Sequence, residues 1–191
     1  MKYVIAINRE YGSGGRLIGE KLAKKLDIPY YDNEIIKLTA QKSGFSEEYV
    51  KEAAEKRTMS LIYSLYMTSL PVSDQIFLVQ SQVVRDLAAK GPCVIVGGCA
   101  DYVLKDSKRL IKVFIHAPLE ERIKRVRDEY GETAADYKHY VTRMDKRRVT
   151  YYNYFTQYKW GRAEDYDLTV NSAAGVGVCA DTIELYVRGI L

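Results

Sequence analysis

Three observations predict an α/β chain built on a parallel sheet covered on both faces. Short apolar strands alternate with helical stretches along the whole sequence, the order that produces parallel pairing with helices on either side. The first strand runs straight into a glycine-rich turn, and that turn opens a helix. Polar residues also collect where strands end: residues 12–16, Asp32 and Asn33, residues 97–101, and His116. Ligands of open parallel sheets bind at those carboxyl ends, so one cleft is expected. Together these features predict a single three-layer α/β/α domain spanning residues 1–191, with five parallel strands.

Residues 4–8 read as a buried strand, and residues 15–26 as a helix with Ile18, Leu22 and Leu26 recurring every four positions. Residues 28–32 form a second short strand, and residues 34–41 begin another helix. Residues 46–90 are helical by pattern, with breaks near Thr58 and at Leu70 and Pro71; Ile76, Val79, Val83 and Leu87 make one apolar face. Gly91 and Pro92 end that stretch. A third strand covers 94–96, bounded by Gly97 and Gly98, and a fourth covers 110–116. Pro118 opens a helix that carries Leu119, Ile123 and Val126 on one side. Residues 136–158 form a long, basic, tyrosine-rich helical stretch. A last strand covers 167–170, and Val176, Ala180, Ile183 and Val187 mark a final helix. There is no repeat, low-complexity tract or linker. The helical insertion at about 44–90 comes closest to a subdomain.

Composition narrows the function. The chain has 191 residues, 47% hydrophobic and 28% charged, which suits one soluble domain with a real core. A net charge of +4 fits anionic small molecules and is too weak to argue for nucleic acid. No apolar run is long enough to span a bilayer, and the run at residues 3–7 is too short for a signal-peptide core. A cytoplasmic location follows as the expectation. Cys93, Cys99 and Cys179 have neither metal spacing nor an even disulfide set and read as reduced thiols. Of the 17 tyrosines, the cluster Tyr151, Tyr152, Tyr154 and Tyr158 reads as half-buried helix packing.

The turn Gly12-Ser13-Gly14-Gly15-Arg16 carries the main functional signal. Glycines permit a tight loop whose backbone N–H groups converge on one anion, and the helix behind it adds free N–H groups and a positive dipole end. The usual phosphate loop continues with a lysine and a hydroxyl residue. Here, placing Gly14 at the second motif glycine puts Gly15 and Arg16 at those positions, and placing Gly15 there puts Arg16 and Leu17 at them. Neither register supplies both groups. Arg16 offers a planar fork to phosphate oxygens, and Ser13 is the one loop hydroxyl for magnesium or phosphate. A purely structural turn and a dinucleotide-binding turn are the competing readings. Leu17 stands where the third glycine of the latter would fall, although Asp32 suits its ribose-binding acid.

Arg143 and Arg147 lie one helical turn apart, Arg148 follows, and Asp145 is placed to orient a guanidinium. This segment, about 136–160, is expected to close over the cleft and bring cations to phosphate groups; a solvated basic face is the plainer reading. Arg122 and Arg125 lie three apart on the helix after the fourth strand, and an ordinary surface ion pair with Glu121 explains Arg125 as well as a site role does. Asp101 is placed to hold magnesium or a ribose, or else to cap the next turn. Asp32 is placed to orient an acceptor or its metal, or to cap the helix at Glu34.

The loop from Arg9 to Arg16, residues 28–32, residues 95–101, residues 114–122, residues 143–148 and residues 166–172 together resemble the cytidylate kinase-like family, a branch of the P-loop nucleoside monophosphate kinases. The lysine-free loop is similar to that family's own version. The resemblance implies the P-loop kinase strand order, an arginine-rich lid at 143–148, and ATP and magnesium as cofactors. It implies transfer of the terminal phosphoryl of ATP to a nucleoside monophosphate, CMP being the default acceptor. In that scheme Gly12, Ser13, Gly14, Gly15 and Arg16 cradle the donor phosphates, with Ser13 on magnesium. Arg16, Arg143, Arg147 and Arg148 stabilise the transferring group, and Asp32 and Asp101 place the acceptor. Two positions depart from the pattern: Gly98 stands where an arginine is expected, and Asn33-Glu34 where serine-glycine is usual. A nucleotide- or phosphate-binding protein with little turnover is the alternative. The insertion, with Tyr63, Tyr66 and Met67, suits an acceptor pocket or an interface in a homo-oligomer.

Overall fold

Strand β1 (Val4–Arg9) is hydrogen-bonded on both edges, to β3 (Cys93–Val96) and to β4 (Leu110–His116), in parallel register with Val4 opposite both Cys93 and Leu110. A strand flanked and covered on every side has no wet face, which is why its sequence is almost continuously apolar. The computed structural model describes residues 3–55 and 70–191. The expected break at Thr58 and the residues Tyr63, Tyr66 and Met67 lie outside them. Strand β2 (Tyr30–Tyr31) pairs outside β3, and β5 (Leu168–Asn171) outside β4, giving the order β2-β3-β1-β4-β5 with every pair parallel. The five-stranded parallel sheet is borne out. Strand β2 is shorter than the stretch 28–32 because Pro29 has no N–H to give the ladder; its carbonyl still accepts from the Val94 amide at 2.9 Å.

Alternation along β1 sorts the two faces. Ile5 and Ile7 point to one side, where α1 (Gly15–Leu26) contributes Ile18 and Leu22 and α8 (Val176–Ile190) contributes Ile183 and Val187. Val4 and Ala6 point to the other, against Ile35 of α2 (Asn33–Ser43) and Val83, Val84 and Leu87 of α4 (Val72–Lys90). Each fully buried isoleucine or leucine contributes about 1.5–3 kcal/mol. Helix α3 (Glu47–Glu55) adds Val50 to a small cluster with Ala40 and Ile76. The short α5 (Ala100–Val103) follows β3. All three cysteines are free and buried, and burial pushes the Cys93 thiol up to about 11.

Helix α6 (Leu119–Asp128) starts after Pro118 as expected, but its buried face differs from the expected one. Val126 is buried; Arg122 and Arg125, not Leu119 and Ile123, complete that face. Helix α7 (Tyr137–Thr156) opens on Asp136, whose side chain accepts from the His139 amide at 2.9 Å. It crosses above the ends of β1 and β3. There Tyr152 is buried, while Tyr154 and Tyr158 are 40% and 45% exposed, so the tyrosine cluster is only partly a packing element. Among the described residues no helix is long and apolar enough to cross a membrane.

Candidate active site

The loop between β1 and α1 is shaped by what takes its carbonyl groups. The Glu10 carbonyl accepts from the Ser13 amide at 3.3 Å and the Ser13 hydroxyl at 2.9 Å. Arg122 Nη1 donates to the Tyr11 carbonyl at 3.2 Å, and Arg125 Nη1 to the Gly12 carbonyl at 2.8 Å. The Ser172 hydroxyl donates to the Ser13 carbonyl at 2.6 Å, and the Ile18 amide to the Gly14 carbonyl at 2.9 Å. Every acceptor in the stretch 10–14 is thus engaged. The amides of Gly15, Arg16 and Leu17, in the first turn of α1, have no acceptor within their helix. With the positive dipole end they form a ready anion site. Gly12 is required here. Its φ is +76°, and a Cβ would sit 2.7 Å from the Arg122 carbonyl oxygen.

Arg122 and Arg125 are two residues of the candidate site that the sequence did not reveal. They are 7% and 8% exposed and place two guanidinium charges directly behind the loop. Arg122 also donates to the Ala117 carbonyl at 3.1 Å and pairs with Glu10 at 3.4 Å and with Asp145 of α7. Of the two readings open for Arg125, the surface pair with Glu121 is not formed; Arg125 faces Glu129 at 3.6 Å instead.

The cleft has two compartments. One, of about 420 Å³, runs along the loop past Gly12, Gly15, Leu17 and Tyr130. The other, of about 400 Å³, lies between the ends of β1 and β3, the start of α2, and α7; Asp32, Asn33, Gln80, Gly98, Arg147, Tyr151 and Trp160 line it. Arg9, Tyr11, Arg16, Glu132 and Arg148 line both. Three guanidinium side chains therefore stand where the compartments meet.

Of the predicted residues, the structure brings Gly12, Gly15, Arg16, Asp32, Arg147 and Arg148 to this cleft. Asp32 occupies the N-cap position of α2 but makes no cap hydrogen bond; its carboxylate sits 3.7 Å from Arg9 Nη2 and 3.7 Å from Arg16 Nε. Arg148 Nη1 donates to the Arg9 carbonyl at 2.9 Å, and its guanidinium lies 5.0 Å from the centre of the Tyr11 ring. Gly14 stays in the loop at φ +76°, against the Arg125 side chain.

Three expectations need correction. Ser13 is completely buried and its hydroxyl donates to the Glu10 carbonyl, so it braces the turn instead of facing a metal. Arg143 lies outside both compartments, with its guanidinium 5.6 Å from the centre of the Tyr140 ring on its own helix. Asp101 is 5% exposed and lies beneath the cleft, where it accepts from the Tyr152 hydroxyl at 2.6 Å. Burial raises the Asp101 carboxyl above the usual carboxylate range, and the hydrogen bond from Tyr152 only partly offsets this.

Arg9 is the third residue missed. Two glycines clear its path. A Cβ on Gly15 would meet the Arg9 Cβ at 2.6 Å, and a Cβ on Gly97, at φ +81°, would meet Arg9 Nη1 at 2.5 Å. An arginine set between a strand and a glycine loop was the available signal. Helix α7 is locked to the same region. Asp145 Oδ1 accepts from the Tyr11 amide at 2.7 Å, and the Tyr151 hydroxyl donates to Gln80 Oε1 at 2.9 Å. The Tyr11 hydroxyl donates to Glu132 at 2.6 Å, and burial with that carboxylate pushes it well above the ordinary phenol range. The donor set does not form a magnesium cage: Ser13 turns inward, Asp32 faces two arginines, and no cluster of three or more His, Cys, Asp or Glu occurs among the described residues.

Comparison with known proteins accords with this geometry. A structure of an uncharacterized protein from Eubacterium ventriosum ATCC 27560 is 28% identical, with a TM-score of 0.74 over 97% of this chain and 98% of that one. The fold is shared with a gluconokinase from Sinorhizobium meliloti 1021, at 13% identity, 99% and 93% coverage and TM-score 0.61. It is shared with the shikimate kinase from Acinetobacter baumannii in complex with shikimate, at 16% identity, 99% and 95% coverage and TM-score 0.58. No curated protein matches the sequence. The profile of the cytidylate kinase-like family matches residues 4–174, and the chain belongs to that family.

Proposed function

We propose that this chain transfers the terminal phosphoryl of ATP to a nucleoside monophosphate, with CMP the leading acceptor. The observation that carries this reading is the meeting of Arg9, Arg16 and Arg148 at the junction of two compartments, one of which contains the amide loop. The triphosphate lies along the loop and takes hydrogen bonds from the first-turn amides of α1. The acceptor occupies the compartment of Asp32, Gly98 and Tyr151. An oxygen of its phosphate attacks the terminal phosphorus, the bond from that phosphorus to the bridging oxygen breaks, and ADP leaves. The transition state is largely dissociative, so positioning and charge stabilisation do most of the work. Arg16 and Arg148 hold the equatorial oxygens, and Arg147 adds charge from the acceptor side. Magnesium arrives with the nucleotide phosphates, which suits an ion that sheds water reluctantly. Docked α7 keeps water, a competing acceptor, away from the junction.

A second reading is supported by the inward-facing Ser13 and the lysine-free loop: binding of nucleotide without turnover. A coupled ADP-release assay across the common nucleoside monophosphates, beside ATP calorimetry, separates the two. Release of ADP with CMP or a related monophosphate supports the kinase. Micromolar ATP binding without release with any acceptor overturns it.

A further inference from the structure

We infer that Arg9 is the residue that recognises the acceptor, and that it selects an acceptor already carrying a phosphate dianion; this deepens the phosphotransfer reading and rests on it. The side chain is placed with unusual care for a residue at a strand end. Gly15 leaves room for its Cβ, and Gly97 leaves room for its guanidinium. The result is a cation at the end of the central strand, facing both compartments. Gly98, at φ +63°, adds no side-chain charge to the end of β3, and the Arg9 guanidinium lies against the neighbouring Gly97.

The charge around Arg9 is incompletely satisfied. Among the described residues its ion pair is with Asp32, at 3.7 Å, which is beyond hydrogen-bonding distance, and Arg9 side-chain exposure is 21%. Asp32 is shared with Arg16, also at 3.7 Å. Two guanidinium groups thus face one carboxylate without a formed hydrogen bond to it; Arg9 and Asp32 are largely withdrawn from water, whereas Arg16 is exposed. A phosphate dianion fits this arrangement. It offers several acceptor oxygens to planar donor forks and carries enough charge to compete with the Asp32 carboxylate. A neutral hydroxyl does neither. Asp32 then acts as the counter-ion that holds both arginines in place until the acceptor arrives, which differs from its expected role in holding the acceptor.

Calorimetry on wild type, Arg9→Gln and Asp32→Asn, titrated separately with CMP, AMP, UMP, their nucleosides, shikimate, gluconate and ATP, tests this. Wild type is expected to bind one of the monophosphates at least about tenfold tighter than its nucleoside, and Arg9→Gln to lose about tenfold or more of that affinity, the scale of a charge-assisted hydrogen bond. Nucleoside affinity should move less than about threefold, and the loss for the monophosphate should exceed any loss for ATP, because Arg9 borders both compartments. Asp32→Asn should tighten monophosphate binding, because the arginines no longer need to leave a carboxylate; it also decides the matter if Arg9→Gln fails to fold. Unchanged monophosphate affinity in Arg9→Gln, weaker binding in Asp32→Asn, or wild-type preference for a nucleoside, shikimate or gluconate overturns the inference. Arg9-dependent CMP binding without ADP release sinks the kinase reading and supports this one. ADP release with shikimate or gluconate and not with monophosphates overturns this inference and the monophosphate acceptor together, leaving ATP-dependent phosphoryl transfer standing.

Discussion

Asp145 of α7 pairs with Arg122 of α6 across a buried seam, and the same carboxylate takes the Tyr11 amide at 2.7 Å. One acid therefore joins the long basic helix, the helix after β4 and the backbone of the anion loop. Removing it leaves Arg122 buried with Glu10 at 3.4 Å as its remaining carboxylate. Asp145→Ala is expected to cost about 2–3 kcal/mol. For a domain of this size that lowers the melting temperature by about 5–10 °C. Thermal denaturation followed by circular dichroism reads it, and an unchanged midpoint would mean the seam contributes nothing.

Arg125 offers a sharper separation of stability from binding. Arg125→Met keeps most of the buried stem and deletes the hydrogen bond to the Gly12 carbonyl. ATP affinity is expected to fall about tenfold, the scale of a lost charge-assisted hydrogen bond. Calorimetry at matched folded fraction measures it. Wild-type affinity would show that the loop keeps its shape without this donor.

Arg147 lines the proposed acceptor compartment only, whereas Arg16 lines both. Arg147→Ala should therefore lower kcat by about a hundredfold while ATP affinity changes little, as expected for a group that acts on charge developing in the transition state. Arg16→Ala should instead weaken ATP binding directly. Steady-state kinetics with ATP calorimetry checks both, and equal losses in rate and affinity for Arg147→Ala would assign it to ground-state binding.

Asp101 gives a pH dependence of definite sign. Its carboxyl is raised in the folded state by burial, so the unfolded chain ionises it first. Stability is therefore unaffected below the ordinary aspartate range and falls as pH rises from there toward the raised folded value. Asp101→Asn keeps an acceptor for the Tyr152 hydroxyl and removes the buried charge. Its melting temperature is expected to exceed that of wild type at pH 8, with the gap closing toward pH 4. A gap that widens on acidification would reverse the assignment.

Local pattern gave the framework. Helix α1 and strand β4 fall where the sequence places them, because each is bounded by residues that act on their own neighbours. Gly14 and Asp27 both adopt left-handed backbone at the two ends of α1. The anion loop and the guanidinium groups of Arg16, Arg147 and Arg148 were equally legible. Arg122 and Arg125 were not. Arg125 has Glu121, Asp128 and Glu129 three or four residues away and looks like a surface charge, Arg122 follows directly on Glu120 and Glu121, and the carbonyl groups that take their Nη1 donors lie 111 and 113 positions distant. Ser13 misled for a related reason: a hydroxyl in a phosphate loop is informative only once its rotamer is known, and here the Glu10 carbonyl claims it. Asp32 was seen at the strand end, but its two arginine neighbours converge from β1 and α1 only in three dimensions.

Helix α7 touches the loop through Asp145 and Arg148 and the opposite compartment through Tyr151 and Tyr152. One helix anchored at both compartments would make the affinities of the proposed donor and acceptor interdependent. Whatever factor the donor imposes on the acceptor's dissociation constant, the acceptor must return to the donor's.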